Sequence, residues 1–196
     1  MNINERLSVA LTRLDNMTDE GFMEDLIKFG YTPPATKIIF LDIDGVLNNA
    51  SDSDMHCHMG GCDFYSNTCV QRLNTIIQET GAKICVSSTW RLGLTVEEIA
   101  HKLKGMGVVG DIVGVTDNLR HHHCLRGNEI HNWIQDNKNI IGYDYYSDYK
   151  SYVILDDDSD MLLWQKDNFV HTNGEVGLCD ADVEKAIMIL NRGGSK

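Results

Sequence analysis

Short apolar runs alternate with amphipathic stretches along most of the chain. Runs that are almost continuously apolar are typical of strands buried on both faces of a sheet. The predicted strands are 37–42 (KIIFLD), 82–87 (AKICVS), 111–115 (DIVGV), 151–156 (SYVILD) and 168–172 (NFVHT).

Segments with apolar residues at helical spacing separate these strands, and polar residues or glycines mark their ends. The predicted helices run from a cap at Ser66 to Gly81, from a cap at Thr95 to Met106, from Asn128 to Gln135, and from a cap at Asp180 to Gly193. Strands that alternate with helices favour a mainly parallel sheet covered on both faces. We therefore expect an α/β fold, a Rossmann-like three-layer α/β/α sandwich.

Two further short helices are predicted between Glu5 and Phe29, before Gly30 and the pair Pro33-Pro34. They precede the first strand, so we expect an N-terminal helical extension over residues 1–36 that packs on the core. The remaining residues, 37–196, contain no low-complexity linker and form one predicted domain.

Composition narrows the class of protein. The chain has 196 residues, of which 42% are hydrophobic and 23% charged, as in ordinary globular proteins. A net charge of -12 argues against bulk binding to nucleic acid, although one phosphate group could still bind in a local basic pocket. No apolar run is long enough for a membrane span and no secretory signal is visible, so we expect a cytoplasmic protein with its six cysteines reduced.

Acidic and hydroxyl side chains follow three of the predicted strands. Asp42 and Asp44 leave the first strand, Ser87 and Ser88 end the second, and the acids 156–158 end the fourth. Ligands of parallel sheets bind at the carboxyl ends of the strands, so these groups should meet at one edge. Several carboxylates at one point suit Mg²⁺, and a carboxylate nucleophile beside a second carboxylate suits two-step phosphoryl transfer.

These segments resemble the motifs of the haloacid dehalogenase-like superfamily. FLDIDGVLNN is similar to motif I, ICVSS to motif II and YVILDDD to motif IV, in the family's order over roughly residues 37–160. The combination of FLDIDGVLN, SSTWR, RGNEIHNWI and LDDDSDM resembles more specifically the phosphatase domains associated with "Swiss army knife" RNA-repair proteins.

The resemblance implies roles for the residues of motifs I and II. Asp42 would be the nucleophile and a metal ligand, and Asp44 the general acid/base that also gives its backbone carbonyl to the metal. Ser87 would bind the phosphoryl oxygens, with Ser88 as the alternative if the register shifts by one residue. Independently of the resemblance, Gly45 lets the chain bend after the first strand and is expected to bring backbone N–H groups near an anion.

It also implies the remaining members of the site. Asp156 would be the main downstream ligand of Mg²⁺, with Asp157 assisting directly or through water. Motif III requires a cation between the second and fourth strands, for which Arg126 is our choice over Arg120 and Lys102.

The surroundings of the predicted site are less determined. Arg91 either binds a substrate phosphate or anchors its loop. Superfamily members often carry a cap domain, whereas residues 48–65 have room only for a flap loop, which predicts a minimal cap and an open site.

Other side chains leave alternatives open. Two His/Cys clusters have zinc-ligand chemistry without a common zinc-site spacing: His56, Cys57, His58 and Cys62, and His121, His122, His123 and Cys124. Aromatic residues could stack on a nucleobase, although packing is the simpler interpretation: Trp90, Trp133, Trp164, Tyr143, Tyr145, Tyr146, Tyr149 and Tyr152.

Taken together, the sequence predicts a Mg²⁺-dependent phosphomonoester hydrolase that acts through an aspartyl-phosphate. Its partner would be a phosphorylated small molecule such as a nucleotide, or the terminal phosphate of a nucleic acid, with no membrane partner. The alternatives are a noncatalytic phosphate- or nucleotide-binding module and a zinc-binding protein built on the His/Cys clusters.

Overall fold

A computed structural model of the chain describes residues 35–49, 55–57, 64–119, 124–141 and 151–192. Its strands are β1 (Ile38–Leu41), β2 (Met55–Cys57), β3 (Phe64–Ser66), β4 (Lys83–Val86), β5 (Ile112–Val115), β6 (Tyr152–Asp156) and β7 (Phe169–His171). Its helices are α1 (Asn67–Thr80), α2 (Val96–Gly105), α3 (Arg126–Asp136), α4 (Lys138–Ile141) and α5 (Asp180–Asn191).

Five strands form one parallel sheet in the order β5-β4-β1-β6-β7. The central strand, β1, is buried at every position, as its uninterrupted apolar sequence predicts. It pairs with β4 on one side and β6 on the other, and Leu41 lies level with both Val86 and Leu155. The predicted α/β fold with a mainly parallel sheet is therefore confirmed.

Helices cover both faces of this sheet. The larger core cluster joins one face to the apolar sides of α1, α2 and α5, with residues such as Leu73, Ile99 and Leu190 fully or almost fully buried. The smaller cluster joins the other face to α3 and α4, where Trp133 packs edge-on against Phe40 at 5.4 Å between ring centroids. These two layers give the predicted three-layer sandwich.

The ends of the helices follow the predicted capping chemistry with one difference. Ser66 accepts from the Cys69 backbone at the start of α1, and Thr95 forms the predicted capping box with Glu98 at the start of α2. At α5 the cap position is Cys179, one residue before the predicted Asp180, and the Asp182 carboxylate accepts from the Cys179 N–H.

The predicted flap region contains secondary structure that the sequence pattern did not indicate. β2 and β3 pair in an antiparallel fashion within residues 48–66. Strands of three residues carry too little alternation to be recognised as strands. Residues 50–54 and 58–63 lie outside the described residues, so the flap itself stays a prediction.

Residues 35–196 form one compact unit. Residues 1–34, which hold nearly all of the predicted N-terminal extension, lie outside the described residues. Over the described ranges, none of the helices combines the length and apolar character needed to span a bilayer.

Candidate active site

The carboxyl ends of the three central strands bring the predicted motif residues to one edge of the sheet. Asp42 follows β1, and its backbone N–H donates to the Leu155 carbonyl of β6 at 2.9 Å. The Ser87 N–H donates in turn to the Leu41 carbonyl of β1 at 2.9 Å. Motifs separated by more than 40 residues in sequence therefore stand side by side because of sheet pairing.

Three carboxylates converge at this edge. Asp42, Asp156 and Asp157 each offer an oxygen, and these oxygens all lie within 4.8 Å of one another. Asp156 is fully buried and Asp42 is only 5% exposed. The structure therefore brings acids of motifs I and IV together, as the sequence predicts.

Within the described residues, Arg126 is the arginine whose guanidinium group faces this cluster. Its Nη1 atom lies 3.7 Å from Asp42 Oδ1 and 4.0 Å from Asp156 Oδ2, and it also donates to the Ser87 carbonyl. The backbone N–H of Arg126 donates to Asp160 Oδ2 at 2.9 Å, which fixes the first turn of α3. The cation predicted for motif III therefore lies between the two buried acids.

One guanidinium does not compensate the negative charge of this site. Burial and then the charge of Asp42 raise the pKa of the Asp156 carboxyl from 3.8 to about 8, although Arg126 acts in the opposite direction. Burial also raises the pKa of Asp42, against the lowering effects of Arg126 and of a hydrogen bond with Ser88. The arrangement therefore favours additional positive charge.

The chemistry of the donors fits a hard divalent cation. Asp156 Oδ1 accepts from the Asp158 N–H at 2.9 Å, whereas the buried Oδ2 atom lacks a hydrogen-bond partner within the described part of the chain. A buried carboxylate oxygen without a partner is costly unless an ion or water satisfies it. Asp42, Asp156 and Asp157 could hold such a cation through oxygen atoms alone.

Glycines make room for the third carboxylate. A Cβ atom at Gly45 would overlap the Asp157 carboxylate, and one at Gly174 would lie 2.6 Å from Asp157 Oδ2. The Gly45 N–H donates to Asn48 Oδ1 at 2.8 Å and its carbonyl accepts from Thr172 Oγ1. The Gly45 N–H is therefore used within the turn, whereas the predicted approach of neighbouring backbone N–H groups to a substrate anion stays a prediction. At a φ of 71°, Gly45 shapes the turn and clears space for Asp157.

Two hydroxyl groups of motif II lie in the site. The Ser88 hydroxyl hydrogen-bonds to the Asp42 carboxylate and accepts from the Trp90 N–H at 3.4 Å. Ser87 Oγ is buried and finds no hydrogen-bond partner among the described residues. Both residues therefore stay candidates for contact with a phosphoryl group, as the alternative registers of the sequence allowed.

The Asp44 side chain is separate from the acid cluster. It is exposed and accepts from Asn48 Nδ2 at 2.7 Å and from Trp90 Nε1 at 3.0 and 3.1 Å. Its carboxylate thus takes no part in the three-acid group, which is consistent with a role in proton transfer. The metal contact through its backbone carbonyl stays a prediction.

Arg91 is a structural anchor. Its side chain is 3% exposed and forms a 2.7 Å ion pair with Glu129, whose own side chain is 2% exposed. All five N–H donors are engaged, so none is left for a substrate phosphate. The predicted substrate-binding role is therefore wrong, and the loop-anchoring alternative is correct. The other acceptors are the carbonyl groups of Ser87, Ser88, Thr116 and Asp117.

Sequence reasoning missed three residues that shape the site. Glu129 pairs with Arg91, Trp90 donates to Asp44, and Asn48 bonds both Asp44 and Gly45. Trp90 and Glu129 belong to SSTWR and RGNEIHNWI, the segments that resemble the RNA-repair phosphatases. That resemblance marked the segments as important, but it could not show which side chains meet.

Several predicted alternatives are outside the reach of the described structure. The following side chains lie outside it: His56, Cys57, His58, Cys62, Arg120, His121, His122, His123, Tyr143, Tyr145, Tyr146 and Tyr149. The zinc alternative and the stacking role of these tyrosines therefore stay predictions. The four cysteines whose side chains are described, Cys69, Cys85, Cys124 and Cys179, are free thiols.

Comparison with known proteins agrees with this geometry. A family model described as the HAD domain in Swiss Army Knife RNA repair proteins matches residues 38–183. No curated protein and no solved structure matches the chain. The matched segment runs from β1 into α5 and contains Asp42, Ser87, Arg126 and Asp156. Because it spans most of the 196 residues, the chain belongs to the family of HAD domains found in Swiss Army Knife RNA repair proteins.

Proposed function

We propose that the protein is a Mg²⁺-dependent phosphomonoester hydrolase whose nucleophile is Asp42. The observation that carries the proposal is the convergence of Asp42, Asp156 and Asp157 beside the Arg126 guanidinium at the carboxyl edge of the sheet. Family membership supports phosphatase-type chemistry for this arrangement.

The donor set favours Mg²⁺ as the cofactor. Asp42, Asp156 and Asp157 supply oxygen ligands only, and Mg²⁺ prefers a few carboxylates together with water and substrate phosphate oxygens. When bound, Mg²⁺ would supply positive charge that offsets the charge of the phosphoryl group during transfer.

The residues of the chain divide the chemistry into two displacements. Asp42 attacks phosphorus and forms an aspartyl-phosphate while Asp44 protonates the departing oxygen. Asp44 then accepts a proton from the water that hydrolyses this intermediate, which releases phosphate and restores Asp42. Arg126, fixed between Asp42 and Asp156, offsets charge on the transferring group in both steps.

The proposed substrate is a nucleotide or a nucleic acid that ends in a phosphate. The description of the matching family names RNA repair proteins, which supports the terminal phosphate of a nucleic acid, or a nucleotide, as the proposed substrate. A net charge of -12 opposes extended contact with a polyanion, so recognition would rest on the terminal phosphate and the adjoining nucleoside.

Phosphate release tests the proposal directly. The wild-type protein should hydrolyse an aryl phosphate, and 3′- or 5′-phosphorylated oligonucleotides or nucleoside monophosphates, in Mg²⁺ but not in EDTA. Asp42→Asn should lower kcat by about 1000-fold or more, because the nucleophile is lost. Asp167→Asn, which removes an exposed acid, is the matched control and should retain activity.

Two outcomes would contradict the proposal. Full activity in Asp42→Asn would exclude the assigned nucleophile. Tight binding of a nucleotide in Mg²⁺ without any turnover would instead support the noncatalytic binding module.

A further inference from the structure

The Asp44 carboxylate is held from two sides although it is exposed to solvent. The Trp90 indole N–H lies 3.0 and 3.1 Å from its two oxygens, and Asn48 Nδ2 lies 2.7 Å from Oδ1. An exposed aspartate normally samples several rotamers, and fixing one of them has an entropic cost. Two side-chain donors on one exposed carboxylate therefore indicate that its orientation matters.

Both donors are themselves fixed. Asn48 Oδ1 accepts from the Gly45 N–H at 2.8 Å, so the amide must turn its NH₂ group toward Asp44. The Trp90 backbone N–H donates to Ser88 Oγ, and the Lys102 ammonium lies 4.6 Å from the centre of the Trp90 ring.

The residue that follows Trp90 adds to this rigidity. Arg91 is buried, and its side chain makes five hydrogen bonds. The indole N–H therefore projects from a rigid turn toward a carboxylate in the neighbouring turn.

We propose that Trp90 is a positioning residue whose indole N–H, together with Asn48, fixes the Asp44 carboxylate for proton transfer. This inference rests on the proposed function, in which Asp44 is the general acid/base. The resemblance to known phosphatases implies no role for Trp90, for which packing is the simpler interpretation of the sequence.

The hydrogen bond matters most when the proton leaves Asp44. In the first step the Asp42 oxygen bonds to phosphorus, the bond from phosphorus to the leaving oxygen breaks, and the Asp44 proton moves to that oxygen. Asp44 becomes a carboxylate, and a hydrogen bond from an N–H group to a carboxylate is stronger than one to the neutral acid. Trp90 therefore stabilises the state that forms as the leaving group departs.

A series of phosphomonoesters with different leaving groups tests this role. An alkyl leaving group, as in a nucleoside 5′-monophosphate, must be protonated as it departs, whereas 2,4-dinitrophenolate departs without a proton. Trp90→Phe should lower kcat/KM for the nucleotide by about 10- to 100-fold, which corresponds to the loss of a hydrogen bond to a charged group. For the dinitrophenyl ester, kcat/KM should stay within about twofold of wild type by the same reasoning.

Matched variants define what each result means. Asp44→Asn should show the same selective loss in a more severe form, and Trp90→His, which keeps a ring N–H, should recover part of the activity. Trp164→Phe removes an indole that is 55% exposed and should change neither substrate's kcat/KM. Should Trp90→Phe fail to fold, Asn48→Asp replaces it, because a second carboxylate repels Asp44 while still accepting from Gly45.

Three outcomes would overturn the inference. If Trp90→Phe lowered kcat/KM equally for both esters, Trp90 would only connect the two turns structurally and would have no specific role in proton transfer. Selective loss in Asp44→Asn without selective loss in Trp90→Phe would refute the role of Trp90 and leave the proposed function standing. A wild-type protein that is inactive on every ester with Mg²⁺ would overturn the proposed function and this inference with it.

Discussion

Replacing Asp156 by asparagine removes a carboxylate charge from the buried centre of the site while preserving the shape of the side chain. The asparagine Oδ1 atom can still accept from the Asp158 N–H, so the turn after β6 should persist. The variant therefore separates the effect of charge from the effect of packing.

The size of the expected change in the free energy of unfolding follows from the raised pKa of Asp156, which is about 8 in the folded protein and 3.8 ordinarily. The folded protein holds the Asp156 proton more tightly than the unfolded chain does. Protonation of Asp156 therefore contributes its full stabilisation below pH 3.8, and this contribution is lost as the pH rises toward 8. Each unit of pKa corresponds to about 1.4 kcal/mol. At pH 7 the metal-free Asp156→Asn protein should therefore be more stable than wild type by about 4 kcal/mol.

Urea denaturation in EDTA across pH 4 to 8 measures this difference. The curves of wild type and Asp156→Asn should nearly coincide at pH 4 and separate progressively up to pH 8. Added Mg²⁺ should narrow the difference at high pH, because it binds the folded wild type and stabilises it by about 2.7 kcal/mol at 100 times Kd. Asp167→Asn, at an exposed acid, should follow wild type throughout. A stability difference that is constant over the whole pH range would refute the reasoning.

Three further predictions concern metal binding and the structural support of the site. Mg²⁺ binding at pH 7 should release protons from Asp156, visible by calorimetry in buffers of different ionisation enthalpy, and Mg²⁺ affinity should rise with pH up to about 8. Gly174→Ala should lower the affinity for Mg²⁺ by about tenfold, measured by titrating the protein with Mg²⁺, because the alanine Cβ would displace the Asp157 carboxylate. Glu129→Gln should lower the free energy of unfolding in urea by about 3 kcal/mol, because it leaves the buried Arg91 without its counter-charge.

Controls for these variants exist in the same chain. Gly93→Ala adds a Cβ into open space at a φ of 81°, so it should lower stability through backbone strain but leave Mg²⁺ affinity unchanged. Asp180→Asn breaks the solvent-exposed ion pair with Arg72 and should lower stability much less than Glu129→Gln. Metal binding without proton release, unchanged affinity in Gly174→Ala, or a neutral Glu129→Gln would contradict the respective prediction.

The sheet and the acids at its edge were predictable because both depend on local pattern. Uninterrupted apolar runs such as β1 mark central strands, and the first acid after such a run must lie at the strand's carboxyl end. A common site for Asp42 and Asp156 therefore follows from the sequence pattern, and the structure places the two carboxylates within 4.8 Å of each other. The resemblance to the superfamily implies a cation between the second and fourth strands, and the place of Arg126 just before a predicted helix favours it over Arg120 and Lys102.

The partners of buried and exposed polar groups were not predictable in the same way. Arg91 meets Glu129 across 38 residues, and Trp90 meets Asp44 across 46. Such contacts depend on the register and twist of the whole sheet, which no local pattern records. For the same reason the sequence leaves open whether Arg91 binds a substrate phosphate or anchors its loop, and only the structure shows that its donors are used inside the protein.

The anchoring of Arg126 has a consequence for how this fold can change. Its backbone is bound to Asp160 after β6 and its side chain to Ser87 after β4, so neither attachment depends on the connection between β5 and α3. The first residues of that connection, after β5, are held separately, because the Thr116 and Asp117 carbonyls accept hydrogen bonds from the Arg91 side chain. Residues inserted between these two attachment points should therefore leave the Arg126 guanidinium in place beside Asp42 and Asp156.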